Sequence, residues 1–203
     1  MALVQCNLAP FINQEFAVTG AWGEPRSGHI HAGIDLAAVG TGSTPQPIFS
    51  MSSGVVTRVD QTDQGTGYGA MCIIWNQQNN DLWLYGDLSD YSIPLTVGQT
   101  VQQGQYVGLE GNPSGTASTG LHVHLEKENQ SDGVFKFGYN NSIDPTAGTG
   151  ILNEVYTTSD EYYVYYDDVS DIKIGFFVLI NGFGLHISLS KPIFKTKKRR
   201  KYF

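Results

Sequence analysis

The sequence predicts a mainly β fold, with an antiparallel, sandwich-like sheet domain followed by a C-terminal β-hairpin. The chain has 203 residues, of which 40% are apolar, enough for one domain with an appendage. It contains 24 glycines and many short runs of β-branched and aromatic residues, a composition typical of strands and tight turns. Runs of Ala, Glu and Lys that would favour long helices are missing from the sequence.

Several segments have the composition of strands and are bounded by Gly, Asn, Pro or Ser, which are common turn residues. The segments are 53–61, 70–77, 81–88, 106–111 and 121–129. A turn-rich link is expected at 96–108, and residues 1–28 are expected to be irregular. We expect one domain over residues 1–150, which closes near 142–148.

Beyond residue 150 the composition changes. Residues 151–190 begin with a segment dense in Tyr and Asp and continue with an apolar stretch from Ile174 to Leu189. Asn181–Gly182 divides this stretch, and Asn-Gly between apolar runs predicts a type I′ hairpin. A membrane span is the alternative, because the basic tail 191–203 follows. The asparagine and three glycines within the stretch favour the hairpin, so we predict no membrane span.

The charge is distributed unevenly along the chain. Of 12 basic residues, seven lie in 191–203, and all 19 acidic residues lie at or before Asp171. Residues 1–190 therefore carry five positive and 19 negative side chains, a net charge of −14. This acidic body argues against nucleic acid as the main partner. The basic tail is either solvated or a ligand for teichoic acid or phosphate.

The cysteines and the first residues say little about the cell compartment. Cys6 and Cys72 are too few for a disulfide framework, and Cys72 lies in "GAMCIIW", a segment expected to be a buried strand. The start "MALVQCNLAP" lacks the basic residues and long apolar core of a secretory signal peptide. This indicates release by lysis or on a virion, or a signal segment that this chain lacks.

Four of the five histidines form two pairs, in "GHIHAGID" and "LHVHLE". His122 and His124 would share one face of a strand at roughly 6.6 Å. His31 and Asp35 would lie roughly 13 Å apart in an extended strand, so both can reach one metal only if the chain bends, for which Gly33 is suited. Each pair alone is compatible with surface histidines on a strand. Together with the carboxylate they favour a zinc site.

These segments resemble the lysostaphin-type (LytM-like) zinc endopeptidases, which cut peptidoglycan peptides. The resemblance spans roughly residues 20–148. "HAGIDLAA" resembles the first metal motif, "SGVV" the next strand, and "GYGAMCIIW" with "LWLYGDLSD" a strand pair. "VGQTVQQGQYVGLEGNPSGTASTGLHVHLE" resembles the closing block. The resemblance implies a β-sheet peptidase domain with an active-site groove, one bound Zn²⁺ ion and hydrolysis of a peptidoglycan peptide bond.

Roles for individual residues follow from the same resemblance. It implies that His31, Asp35 and His124 bind the metal, and that His122 holds or activates the water and stabilises the oxyanion. Positions in the family's groove are taken by His29, Tyr68, Tyr85 and Thr119.

The chain departs from the family pattern at Asp87. The family's Tyr-x-His-Leu segment is here Tyr85-Gly86-Asp87-Leu88, so aspartate stands where a second catalytic histidine is expected. Asp87 orients or shares a proton with His122, or His29 takes over the role, or activity falls by about 10²–10³-fold. We include Asp87 with His122 among the catalytic candidates.

The expected function is a peptidoglycan endopeptidase that acts outside the cell, at the cell wall or from a virion. The start of the chain, the basic tail and residues 151–190 favour a phage protein used for infection or lysis, with virion tail subunits as candidate partners. The alternative is a catalytically degenerate module that binds the cell wall or serves as a virion structural part, for which Asp87 is the support.

Overall fold

The computed structural model of the chain describes residues 10–12, 14–112, 120–149 and 151 in full, and the strands at 2–6, 162–166, 174–180 and 183–189 by their backbone. All regular elements within these ranges are strands. They are β1 (Ala2–Cys6), β2 (Glu15–Gly20), β3 (Pro25–Arg26), β4 (His29–Ile30), β5 (Ile34–Ala38), β6 (Pro47–Phe49), β7 (Gly54–Asp60), β8 (Ala70–Asn76), β9 (Asp81–Leu88), β10 (Thr100–Val101), β11 (Tyr106–Leu109), β12 (Val123–Asn129), β13 (Ser142–Ile143), β14 (Tyr162–Tyr166), β15 (Ile174–Ile180) and β16 (Phe183–Leu189).

One large sheet carries the fold. Its strand order is β1-β14-β2-β5-β12-β9-β8-β7-β10, and β13 adds to β12. Every pair in it is antiparallel except β1 with β14. This confirms the predicted antiparallel β fold, and the five predicted strand segments correspond to β7, β8, β9, β11 and β12. No helix of the described residues is long and apolar enough to cross a membrane.

The interpretation of residues 1–28 as irregular is wrong, because they contain β2. This strand pairs with β5 near the middle of the sheet, and Phe16, Ala17 and Val18 are all buried. A strand covered on both faces does not need alternating polar residues. The segment "EFAVTG" therefore lacked the alternation that would have identified it, and the turn residues after it masked its end.

The two faces of the sheet bury different apolar clusters. Successive residues of a strand point to opposite faces, so Tyr85 of β9 joins the larger cluster, while its neighbour Leu84 joins a smaller one. Leu125 of β12 lies in the larger cluster, as does Cys72, which is buried as predicted. The smaller cluster lies on the face that also carries the polar residues of β12.

The C-terminal segment contributes two separate features. β14 joins the main sheet by pairing with β2, although it lies beyond the predicted domain end at residue 150. β15 and β16 pair antiparallel, with Ile180 opposite Phe183. The predicted turn residues 181–182 and the basic tail 191–203 lie outside the described residues.

Candidate metal site and groove

Two candidate ligands are direct neighbours across adjacent strands. The register pairs Asp35 of β5 with His124 of β12, and paired residues of an antiparallel sheet project from the same face. Glycines continue the row on both sides, with Gly20 beside Asp35 on β2 and Gly86 beside His124 on β9. A Cβ atom at Gly20 would collide with the side chains of Asp35 and Arg26. The missing side chain therefore leaves room for the carboxylate and its partner.

His31 reaches the same point through a bend at Gly33, as the sequence predicts. Gly33 passes so close to β12 that a Cβ atom there would lie 2.5 Å from the Leu125 carbonyl oxygen and 2.7 Å from Cε1 of His124. As a result, Nε2 of His31 lies 3.2 Å from Oδ1 of Asp35 and 3.1 Å from Nδ1 of His124. The structure thus brings the three predicted ligands together.

We expect Gly33→Ala to reduce the free energy of unfolding by about 1–3 kcal/mol, because the methyl group must displace the β12 backbone or the His124 ring. Denaturant unfolding measures this change. Gly120→Ala is the matched control, since a Cβ atom at Gly120 meets none of the described residues within 4 Å. If Gly33→Ala and Gly120→Ala have equal free energies of unfolding, Gly33 does not pack closely against β12.

The three ligand atoms converge on a point that a single shared proton can occupy. Nδ1 of His31 donates to the Ala21 carbonyl at 2.8 Å, which leaves Nε2 as an acceptor. Nδ1 of His124 faces that nitrogen and also Oδ1 of Asp35 at 3.0 Å, so its proton has two acceptors. Burial lowers the pKa of His124, but the hydrogen bond to Asp35 and the charges of the Asp35 and Glu126 carboxylates outweigh it and raise the pKa to about 10. A metal ion can replace this proton.

Both the donor atoms and the local charge fit a divalent cation. Two imidazole nitrogens and a carboxylate oxygen, 3.0–3.2 Å apart, match the spacing of roughly 3.3 Å expected for ligands of tetrahedral zinc. Three buried carboxylates, those of Asp35, Asp87 and Glu126, surround the position. Arg26 supplies one positive charge by donating to Asp35 at 2.5 Å. The buried carboxylates therefore outnumber this guanidinium, which favours the binding of a cation.

Beside this set, His122 and Asp87 form a second pair. Nε2 of His122 lies 2.9 Å from Oδ2 of Asp87, and its Nδ1 lies 3.0 Å from the Gly120 carbonyl oxygen. Both ring nitrogens face acceptors, which favours the doubly protonated ring. Burial lowers the pKa of His122, but the hydrogen bond and charge of Asp87 outweigh it, so the pKa lies above its ordinary value. These contacts favour the protonated form of His122, next to the candidate ligands.

Asp87 reaches this position because its backbone leaves the regular strand conformation. Strand alternation would put Asp87 on the same face as Tyr85, in the core. Its φ of 55° is left-handed, which is uncommon for a residue other than glycine. This conformation carries the carboxylate to the groove face. Left-handed residues of this kind are often found at functional sites.

The prediction that Tyr85 lines the groove is wrong. Tyr85 is fully buried in the larger apolar cluster, and the backbone N–H of Met51 donates to its hydroxyl at 2.6 Å. Its cross-strand partner is Leu125, which also points into the core. Tyr68 and His29 do line the groove. Thr119 lies outside the described residues.

His29 stands apart from the catalytic candidates. It is exposed on the groove wall, and its Nδ1 lies 3.3 Å from the Ser27 carbonyl oxygen. Asp87 already occupies the position facing His122, at 2.9 Å. The arrangement therefore favours Asp87 over His29 as the group that acts on His122.

The three candidate ligands and the His122–Asp87 pair all line one groove, which has a volume of about 1190 Å³. Of its aromatic wall, only Tyr68 was predicted from the sequence. The ring of Tyr68 packs on Phe137 with 5.2 Å between centroids, and Tyr139 packs on Trp22 at 5.1 Å. Phe137 and Tyr139 belong to the segment after β12, and only the aromatic residues of "VFKFGY" could have indicated it.

The sequence model of Peptidase family M23 matches residues 29–136, which is more than half of the chain and includes every catalytic and ligand candidate. The chain belongs to peptidase family M23. The resemblance read from its motifs is thereby confirmed. The candidate ligands of this M23 chain lie on β5, on β12 and on the segment that leads into β5.

Known proteins similar to this M23 chain include a staphylococcal phage endolysin and lysostaphin. Endolysin 2638A of Staphylococcus phage 2638A is 31% identical over 100 residues, which cover 49% of this chain and 19% of the endolysin. Lysostaphin from Staphylococcus simulans superposes with a TM-score of 0.51 at 22% identity, over 65% of this chain and 48% of lysostaphin. This likeness shows the fold alone.

Another solved structure with the same fold has a higher sequence identity to this chain than lysostaphin has. It is a mutant catalytic domain of the prophage-encoded M23 protein EnpA from Enterococcus faecalis. It superposes with a TM-score of 0.50 at 28% identity, over 68% of this chain and 95% of that domain. This chain thus spans about one fifth of the phage endolysin and about half of lysostaphin, but nearly all of the EnpA domain.

Glu128, further along β12 of the M23 domain, makes stability depend on pH. Burial raises the pKa of Glu128 to about 7 from an ordinary value of 4.5. The folded state therefore favours the neutral acid, and this stabilising contribution is complete below pH 4.5 and lost as the pH rises through 7. Above pH 7 the folded protein must hold a buried carboxylate.

We expect Glu128→Gln to raise the free energy of unfolding at pH 8 by about 1–3 kcal/mol and to give no gain at pH 4. Denaturant unfolding in the presence of a chelator measures the difference without a contribution from bound metal. Asp132→Asn, at an exposed carboxylate, is the control. A gain that is equal at both pH values would contradict a raised pKa for Glu128.

Proposed function

We propose that this chain is a zinc-dependent endopeptidase that hydrolyses peptide bonds of bacterial peptidoglycan. One observation carries the proposal. Within the groove of an M23 chain, His31, Asp35 and His124 present ligand atoms 3.0–3.2 Å apart, next to an imidazole–carboxylate pair. These are the two parts that metal-assisted hydrolysis needs, a ligand set with an open side and a proton-transfer group.

The ligands are held in place by their own neighbours. Ala21 accepts from His31 and so leaves its Nε2 free for a metal ion. Arg26 binds the outer oxygen of Asp35 and leaves the inner oxygen facing the histidines. A bound zinc ion supplies Lewis-acid polarisation of the scissile carbonyl and lowers the pKa of a water molecule to about 7.

His122 and Asp87 supply the proton chemistry. The N–H at Nε2 of the protonated His122 ring, which faces Asp87 in this structure, would share its hydrogen bond with the carbonyl oxygen as negative charge develops there. The same ring can then give a proton to the leaving amine. Asp87 keeps the ring oriented and stabilises its positive charge, as carboxylates do in imidazole–carboxylate pairs.

Zinc analysis and cell-wall zymography test this function. The purified chain should hold one zinc ion and clear a band in embedded cell walls, and a chelator should remove both. His122→Ala should keep the zinc and lose most of the cleavage, by about 10²–10³-fold. If His122→Ala cleaves as well as the wild type, the role given to His122 is wrong.

A catalytically degenerate module that binds the cell wall, or serves as a virion structural part, is the second candidate function. It is favoured by one feature, the aspartate at position 87 where the family resemblance implies histidine. A degenerate protein would retain cell-wall binding without any cleavage by the wild type. Pull-down with insoluble peptidoglycan, combined with zymography, separates the two functions.

The site of action follows from the likeness to a phage endolysin. We propose that the chain acts at the cell wall from outside the membrane or from within a virion, where virion tail subunits would be its partners. Mass analysis of the fragments released from several purified peptidoglycans would identify the bond that is cut. Immunodetection in purified virions would test the tail assignment.

A further inference from the structure

Four titratable side chains follow one another on one face of β12. Side chains two positions apart on a strand share a face, so His122, His124, Glu126 and Glu128 form a single row, and all four are buried. The proposed function uses the two histidines. It leaves the two carboxylates that continue the row without a role.

Glu126 is the more unusual of these carboxylates. Its exposed fraction is 0%, and its cross-strand partner is Leu84, a member of the smaller apolar cluster. A buried carboxylate in apolar surroundings is destabilising unless it is paired. Neither oxygen of Glu126 has a hydrogen-bond partner among the described residues. Its Oε2 does lie 3.5 Å from Nε2 of His124.

The ring of His124 therefore lies between two carboxylates, those of Asp35 and Glu126. Its Nδ1 lies 3.0 Å from Asp35 on the ligand side, and its Nε2 faces Glu126 on the other side. Within the described part of the chain, Nε2 is a buried atom without a hydrogen-bond partner. A histidine that binds a metal through one nitrogen carries its proton on the other, and a carboxylate there fixes the tautomer and the ring orientation.

We propose that Glu126 is a positioning residue for the metal site, whose carboxylate attracts the Nε2 proton of His124 and keeps Nδ1 turned toward His31 and Asp35. This inference rests on the proposed function, because it assigns Glu126 to the same zinc ion. The negative charge of Glu126 also strengthens the attraction for a cation.

Tyr68 closes the site around Glu126 and His124. Its ring packs edge-to-face on the His124 ring, with 5.3 Å between centroids. Burial, followed by the charge of Glu126, raises the pKa of Tyr68. Its hydroxyl therefore stays protonated and adds no negative charge beside the carboxylate. Tyr68 and Leu84 thus keep the position of Glu126 apolar, which strengthens its interaction with His124.

Zinc affinity, measured by competition with a chelating dye, tests the role of Glu126. Glu126→Gln keeps the shape and removes the charge, and it should weaken zinc binding by about 10- to 100-fold. Glu128→Gln is the matched control, since it removes a buried carboxylate from the same face of β12, and it should leave zinc affinity unchanged. Glu126→Leu, which suits the apolar neighbours, should weaken zinc binding as well and provides a second folded variant.

The outcomes separate this inference from the proposed function. If Glu126→Gln or Glu126→Leu folds and binds zinc as tightly as the wild type, Glu126 is not a positioning residue. The same holds if Glu126→Gln only lowers the unfolding free energy of the metal-free protein. In both cases a wild type that binds zinc and cleaves walls still supports the function. A wild type that binds no zinc overturns both.

Discussion

Asp35→Asn is expected to abolish zinc retention and peptidoglycan cleavage together. The carboxylate is the common partner of both histidine ligands, at 3.2 Å from Nε2 of His31 and 3.0 Å from Nδ1 of His124. Asparagine keeps the shape but offers a neutral ligand, and Arg26 then adds a positive charge that Asp35 no longer balances. Lewis-acid stabilisation is worth several kcal/mol. Its loss should lower the cleavage rate by about 10³-fold or more.

Zinc per chain after dialysis and the rate of clearing of a cell-wall suspension measure these effects. Asp132→Asn, at an exposed carboxylate on a turn, should change neither quantity. Circular dichroism in chelator checks that the Asp35→Asn chain is folded. A variant that retains one zinc ion and its cleavage rate would remove Asp35 from the ligand set.

The sequence predicted much of the fold because most strands carry their own boundaries. β8 and β9 are rich in apolar residues and are followed by turn residues, and this local pattern does not depend on tertiary context. β2 was missed for the opposite reason. Three successive residues of β2 are buried, and one of its two partner strands, β14, lies far away in the chain. The sequence of β2 alone therefore does not show the alternating pattern of a half-exposed strand.

The candidate site was predictable where spacing along a strand decides the geometry. The two-residue spacing in "LHVHLE" puts both histidines on one face, and the same period would have identified Glu126. The orientation of Asp87 could not be predicted, because it depends on a left-handed backbone at a residue that is not glycine. Tyr85 follows the regular alternation into the core, and Asp87, two residues further on, departs from it.

Asp87→Asn is expected to reduce peptidoglycan cleavage by about 10²–10³-fold while zinc stays bound. The amide cannot stabilise the positive charge of His122, and its NH₂ group offers a second hydrogen-bond orientation that holds the ring in the wrong tautomer. The side chain of Asp87 is not a predicted ligand, so the zinc content should equal that of the wild type. Asp90→Asn, at an exposed position three residues further on, should retain full activity.

Asp87→His distinguishes a working catalytic aspartate from a degenerate site. If Asp87 is a working group that serves His122, the wild type cleaves cell walls and Asp87→His lowers the rate. The histidine removes the negative charge that stabilises the protonated His122 ring. When the new ring is itself protonated, it also repels His122. If the chain is degenerate, the wild type is inactive and Asp87→His creates cleavage. We expect the first outcome, because the left-handed backbone brings the Asp87 carboxylate to 2.9 Å from His122.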